Sequence, residues 1–126
     1  MHVLVTGGLG HIGSELIRHL AKNRRVRAIT ILDNLLTQRY VSLFDLPKEV
    51  DYTFVEGDVL DPNDVAQAVQ GVDAVVHLAA ITNAEGSFDI SEQVQSVNHD
   101  GTRNVVRACT QQGVRRLVFP STTSVY

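Results

Sequence analysis

The stretch Thr6-Gly7-Gly8-Leu9-Gly10-His11-Ile12-Gly13 (TGGLGHIG) decides how the rest of the chain is read. It follows the short apolar run Val3-Leu4-Val5 and leads into Ile12, Leu16, Ile17 and Leu20, which recur at helical spacing. Consecutive apolar residues suit a strand buried on both faces, and the period that follows suits an amphipathic helix that Asn23 can close. Glycines between such a strand and such a helix form the context of a phosphate-binding turn. Gly7 permits the tight turn, Gly10 lets backbone approach a pyrophosphate with no Cβ between, and Gly13 lets the helix pack closely. The free amides of the helix N-terminus, His11 and Ile12 among them, then face the phosphates. The spacing is G-x-x-G-x-x-G, one residue longer in the turn than the commoner G-x-G-x-x-G. An ordinary βα loop can also carry glycines, so the residues further out have to decide between the two.

Working outward, residues 26–33 (VRAITILD) and 50–56 (VDYTFVE) have the β-branched and aromatic content of strands. Asp61-Pro62-Asn63-Asp64 starts a helix, with Asp61 as cap, Pro62 in the first turn and Gly71 as its stop. Residues 73–78 (DAVVHL) and 116–121 (RLVFPS) are further strands. Between them a helix over about 91–112 places Val94, Val97, Gly101, Val105 and Ala108 on one stripe and stops at Gly113. Residues 35–49 and 81–90 lack clean periodicity and read as loops. The order β-α-β-loop-β-α-β-α-β predicts an α/β fold, a Rossmann-type doubly wound parallel sheet of about five strands, as one domain over 1–126.

Asp33 decides the reading of the glycine turn. It ends the second strand 20 residues after Gly13, where a carboxylate accepts hydrogen bonds from the adenosine ribose hydroxyls. The same charge repels a 2′-phosphate, and the nearest arginine to offset it, Arg39, lies in a loop. This favours NAD over NADP, with Asn34 adjoining the ribose site. Asp58 and Val59 follow the third strand on the same side, where Asp58 can accept from an adenine amino group; taken alone it reads equally as a turn acid. Leu78, Ala79 and Ala80 follow the fourth strand, small enough to let backbone lie against the cofactor. His77 reads as a packed or hydrogen-bonded strand residue rather than a base, with nothing nearby in sequence to orient it. The histidines show no metal-ligand spacing, and no metal is assigned.

The chain has 126 residues, 44% hydrophobic and 20% charged, within the size of one globular domain. A net charge of −3 argues against nucleic-acid and anionic-membrane partners, and Arg24, Arg25 and Arg27 suit a solvated helix end. The single cysteine, Cys109, reads as a core residue of a reduced, cytoplasmic protein. The N-terminus shows no signal-peptide pattern.

TGGLGHIG, ILDNL, GDVLD, HLAA, VNHDGT and STTSVY, in this order, resemble the extended short-chain dehydrogenase/reductase family. The similarity is greatest to its NAD-dependent epimerase/dehydratase branch, typified by UDP-galactose 4-epimerase, and covers essentially the whole chain. The resemblance implies a nucleotide-sugar substrate, such as a UDP-sugar, and a bound NAD that takes a hydride from a sugar carbon and later returns it. It implies a catalytic tyrosine and lysine in Y-x-x-x-K, assisted by a hydroxyl that matches Thr122. Asn98, in N-x-x-G-T, matches a position that braces the site and touches the cofactor. Tyr126 belongs to the V-Y of the last motif and is not the catalytic tyrosine. Dimerisation through the helix over 91–112 is also implied, so a homodimer is expected.

Two departures matter. Where the sugar 4,6-dehydratases carry an Asp-Glu pair, this chain has Thr123 and Ser124, which favours an epimerase or a dehydrogenase. No Y-x-x-x-K is present: Tyr40 is followed four places on by Phe44, Tyr52 by Glu56, and Tyr126 is the last residue. These residues therefore read as the N-terminal NAD-binding portion of a longer enzyme, inactive alone. The alternatives are a non-catalytic NAD-binding regulatory or scaffold module, and a reductase of a steroid- or flavonoid-type alcohol. The second of these is ranked below the sugar because Asp33 favours NAD.

Overall fold

A computed structural model of the chain describes residues 1–81 and 93–121. Five parallel strands, β1 (His2–Thr6), β2 (Ala28–Asp33), β3 (Asp51–Glu56), β4 (Ala74–His77) and β5 (Arg116–Val118), lie in the order β3-β2-β1-β4-β5. The order reverses direction between β1 and β4, as it does in one half of a dinucleotide-binding sheet. Helix α1 (His11–Ala21) packs on one face; α2 (Pro62–Ala68) and α3 (Thr102–Gln112) pack on the other.

The two-residue period of the strands divides the core. Val3 and Val5 of β1 join Ile17 and Ala21 of α1 and Ile29 and Ile31 of β2. Leu4, between them, points the other way, into Leu32, Val65, Val75 and Val105. Leu4 and Val5 are fully buried, so β1 is the centre of both cores. Each such side chain contributes about 1.5–3 kcal/mol of burial.

The helix signals act as their chemistry predicts. Asp61 caps α2 by accepting from the Asn63 amide at 2.8 Å, Pro62 occupies its first turn, and Gly71 turns the chain with φ +69°. Gly113 ends α3 in the left-handed region. The strands are shorter than their sequence patterns: β2 starts at Ala28 because the Val26 amide turns back to Asn23, and β5 ends at Val118. The expected helix over 91–112 differs more. Its described part is helical at 93–95, widens into a π-helical turn over Ser96–Gly101, and resumes as α3. A π turn carries one extra residue and rotates what precedes it, which simple 3.6-residue counting cannot anticipate. Cys109 lies in the core, where burial pushes its thiol pKa up. No helix of the described residues is long and apolar enough to cross a membrane.

Candidate functional site

The turns that follow β1, β2, β3 and β4 meet at one edge of the sheet and enclose a cleft. Gly7 and Gly10 line it from the first turn, Asp33 and Asn34 from the second, Gly57, Asp58 and Val59 from the third, and Leu78, Ala79, Ala80 and Ile81 from the fourth. Val97, from the π turn, closes one side. Ligands of open α/β sheets bind in this crevice, at the carboxyl ends of the strands where their order reverses.

The glycine turn is held tightly. Gly7 sits at φ +65° with its α-carbon against the β4 end, where a Cβ would lie 2.8 Å from the Ala79 nitrogen. At Gly13 a Cβ would lie 2.5 Å from the Gly7 carbonyl oxygen, so this glycine packs α1 onto the turn itself. Gly10 differs: a Cβ there would meet only the Gly7 oxygen, at 3.3 Å, and would otherwise project into open space. The first helical bond of α1 runs from the Ser14 amide to the Gly10 carbonyl. The amides of His11, Ile12 and Gly13 therefore precede the helical ladder and have no acceptor within it. His11, Ile12 and Gly13 are not among the residues that line the cleft.

Asp33 does more than its sequence position suggests. One carboxylate oxygen accepts from the Leu9 amide at 3.0 Å and the other from the Leu35 amide at 3.0 Å. The side chain thus fastens the glycine turn to the end of β2 and supports Leu35 at φ +58°, a conformation that costs a leucine about 1–2 kcal/mol. Each oxygen retains a second lone pair. Asn34 donates to Asp58 at 3.1 Å, joining the rims of the second and third turns, and Asp58 accepts the Leu60 amide at 2.9 Å. Asp58 is thus a turn acid that also lines the cleft.

His77 is buried at 4% exposure and bonded at both ring nitrogens, to Thr6 Oγ1 at 2.7 Å and Thr102 Oγ1 at 2.9 Å. Partners absent from its local sequence come from 71 and 25 residues away. The Thr102 hydroxyl donates to the Asn98 carbonyl at 2.7 Å, so it can only accept from His77. Nε2 therefore carries the proton and Nδ1 accepts from Thr6. Burial lowers the His77 pKa below the ordinary 6.5, with no charged group contributing. The folded state then binds this proton less readily than the unfolded chain, so stability is full above pH 6.5 and falls as pH drops below it. Denaturant midpoints at about pH 7.5 and 5.5 check this; His77→Gln, which does not titrate, is expected to flatten part of the difference.

Asn98 does not line the cleft; its side chain clasps Ile81, which does, accepting from its amide at 2.9 Å and donating to its carbonyl at 3.0 Å. Thr122, the matched assisting hydroxyl, lies outside the described residues.

The model of the 3-beta hydroxysteroid dehydrogenase/isomerase family matches residues 4–126. The chain belongs to this family. Like the neighbouring epimerases and dehydratases, the 3-beta hydroxysteroid dehydrogenase/isomerase family is built on the extended short-chain dehydrogenase frame already visible in the six motifs. A 3-beta-hydroxysteroid dehydrogenase of Mycolicibacterium neoaurum is 36% identical over 127 residues, covering 98% of this chain and 32% of that protein. UDP-glucose 4-epimerase of Thermus thermophilus, solved in complex with NAD, superposes with a TM-score of 0.81 at 36% identity, covering 97% of this chain and 38% of that one. UDP-glucose-4-epimerase of Stenotrophomonas maltophila, solved with NAD and formylated UDP-arabinopyranose, gives 0.87 at 32% identity, covering 100% and 38%. The chain thus spans about a third of the length of the family member and structures it matches.

Proposed function

We propose that the chain supplies the dinucleotide-holding portion of an NAD-dependent enzyme that moves a hydride at an alcohol carbon, with a nucleotide sugar as its substrate. The observation that carries the reading is the Asp33 carboxylate, set at the cleft rim by the Leu9 and Leu35 amides. The cleft suits the cofactor in its parts: free amides and an open Gly10 for the pyrophosphate, Asp33 for the ribose hydroxyls, Asp58 for an adenine amino group. When bound, the nicotinamide supplies the hydride acceptor and donor. The chain's residues orient that cofactor, and the Asp33 charge rejects a 2′-phosphate. The tyrosine and lysine that move the hydroxyl proton in relatives have no Y-x-x-x-K counterpart in this sequence.

The nucleotide sugar draws support from the two epimerase structures; a 3β-hydroxysteroid is the second reading, favoured by the family match and the mycobacterial relative. Calorimetric titration with NAD and NADP tests the cofactor: NAD is expected to bind at least tenfold tighter, and a preference for NADP would remove the basis of the proposal. In the protein expressed from its gene, NADH that accumulates with a 3β-hydroxysteroid would favour the second substrate. An epimerase returns its hydride and builds up none.

A further inference from the structure

The hydrogen bonds around His77 run in one direction as far as the Asn98 backbone, and the side chain of Asn98 then holds Ile81. The Ala79 amide donates to Thr6 Oγ1 at 3.2 Å, the Leu78 amide shares its hydrogen between the Thr6 carbonyl at 3.0 Å and Oγ1 at 3.2 Å, and Thr6 donates to His77 Nδ1. His77 Nε2 donates to Thr102, Thr102 to the Asn98 carbonyl, and the Asn98 amide grips Ile81 on both its backbone groups. The chain starts on the cleft wall at Leu78 and Ala79, passes behind it through the buried Thr6 and His77 and the half-buried Thr102, and returns to the wall at Ile81 through the exposed Asn98. The π turn is what brings this about, because Asn98 and Val97 belong to it and Thr102 follows it directly.

We infer that Thr6, His77, Thr102 and Asn98 form a positioning relay that fixes the wall from Leu78 to Ile81, so that its integrity sets cofactor affinity from behind the cleft. This rests on the dinucleotide reading above. Thr6, His77 and Thr102 do not line the cleft, so an effect of theirs on affinity travels through the wall. The donation from Thr102 to the Asn98 carbonyl fixes the direction of both His77 bonds. An uncharged His77 is the form that completes it: a proton on Nδ1 would face the Thr6 oxygen, whose two lone pairs already take the Leu78 and Ala79 amides.

The test separates the relay from the cofactor. Thr102→Val keeps the shape of the side chain and removes the hydroxyl; Thr102→Ser restores it. Exchange of the Ile81 amide, read by NMR in the free protein, is expected to accelerate roughly 3- to 10-fold in Thr102→Val, with NAD affinity weakened by a similar factor. Thr102→Ser is expected to stay within about twofold of the parent on both. Asn98→Asp, at the exposed end, keeps the acceptor for the Ile81 amide and loses the donor to its carbonyl. It should accelerate Ile81 exchange without unfolding the chain, and that exchange supplies the test should Thr102→Val not fold. Unchanged Ile81 exchange and unchanged affinity in Thr102→Val and Asn98→Asp overturn the relay. Faster Ile81 exchange in a protein that binds no NAD upholds the brace and overturns the cofactor reading instead.

Discussion

Gly13→Ala is expected to cost the fold about 1–3 kcal/mol or more and to abolish measurable NAD binding. A single methyl there would stand 2.5 Å from the Gly7 oxygen and 2.7 Å from the Gly8 α-carbon, and both are backbone atoms that no rotamer change can move. Helix α1 must therefore lift from the turn, taking the amides of His11, Ile12 and Gly13 with it. Gly10→Ala is the informative contrast. Its methyl meets only one atom within 4 Å in the free protein and sits in the cleft, so stability should fall less than in Gly13→Ala while affinity is lost. Urea midpoints and calorimetric titration of the two variants read the difference. A Gly13→Ala protein as stable as its parent would refute the packing argument.

Asp33→Asn is expected to have the second largest effect, and on both properties together. Each carboxylate oxygen now accepts a backbone amide, from Leu9 and from Leu35. An asparagine presents one acceptor and one donor, so one of those amides must face an NH2 group. The expected cost is about 1–3 kcal/mol in stability, and NAD affinity is expected to fall about 10- to 100-fold with the preference over NADP narrowed. Retained stability with unchanged NAD preference would show that the carboxylate neither fastens the turn nor reads the ribose.

The strands, the helix caps and the cleft's location were legible because local rules produce them. Val3-Leu4-Val5 has no polar alternation and is buried on both faces; Asp61-Pro62 starts a helix by capping and preset φ. Gly7, Gly10, Asp33, Asn34, Asp58, Val59, Leu78, Ala79 and Ala80 line one cleft because each follows a strand of the same parallel sheet. What sequence concealed depends on residues distant along the chain. His77 gives no local sign of Thr6 or Thr102, and the π turn at Ser96–Gly101 is a departure from the period used to find helices. The second duty of Asp33 was hidden for the same reason, since Leu9 lies 24 residues earlier. The ranking of sugar above steroid rested on the resemblance of the six motifs and on the ribose acid. Asp33 reports on the cofactor and carries no information about what exchanges hydride with it.

The central place of β1 has a consequence for how the molecule is made. Its register pairs Val3 with Ile29 on one side and Ala74 on the other. The first partner is near along the chain, and the second is 71 positions later. At synthesis rates of about 5–20 residues per second, β1 would wait on the order of 4–14 s for β4 to emerge. During that interval the half-sheet of β1, β2 and β3 can form beneath α1, while the β4 edge of the strand stays unpaired. Non-local closure of this kind slows folding and exposes a sticky edge to other chains. Slower elongation before Ala74 is therefore expected to lower the yield of soluble protein, and chaperone capture should concentrate on nascent chains that have not yet released β4.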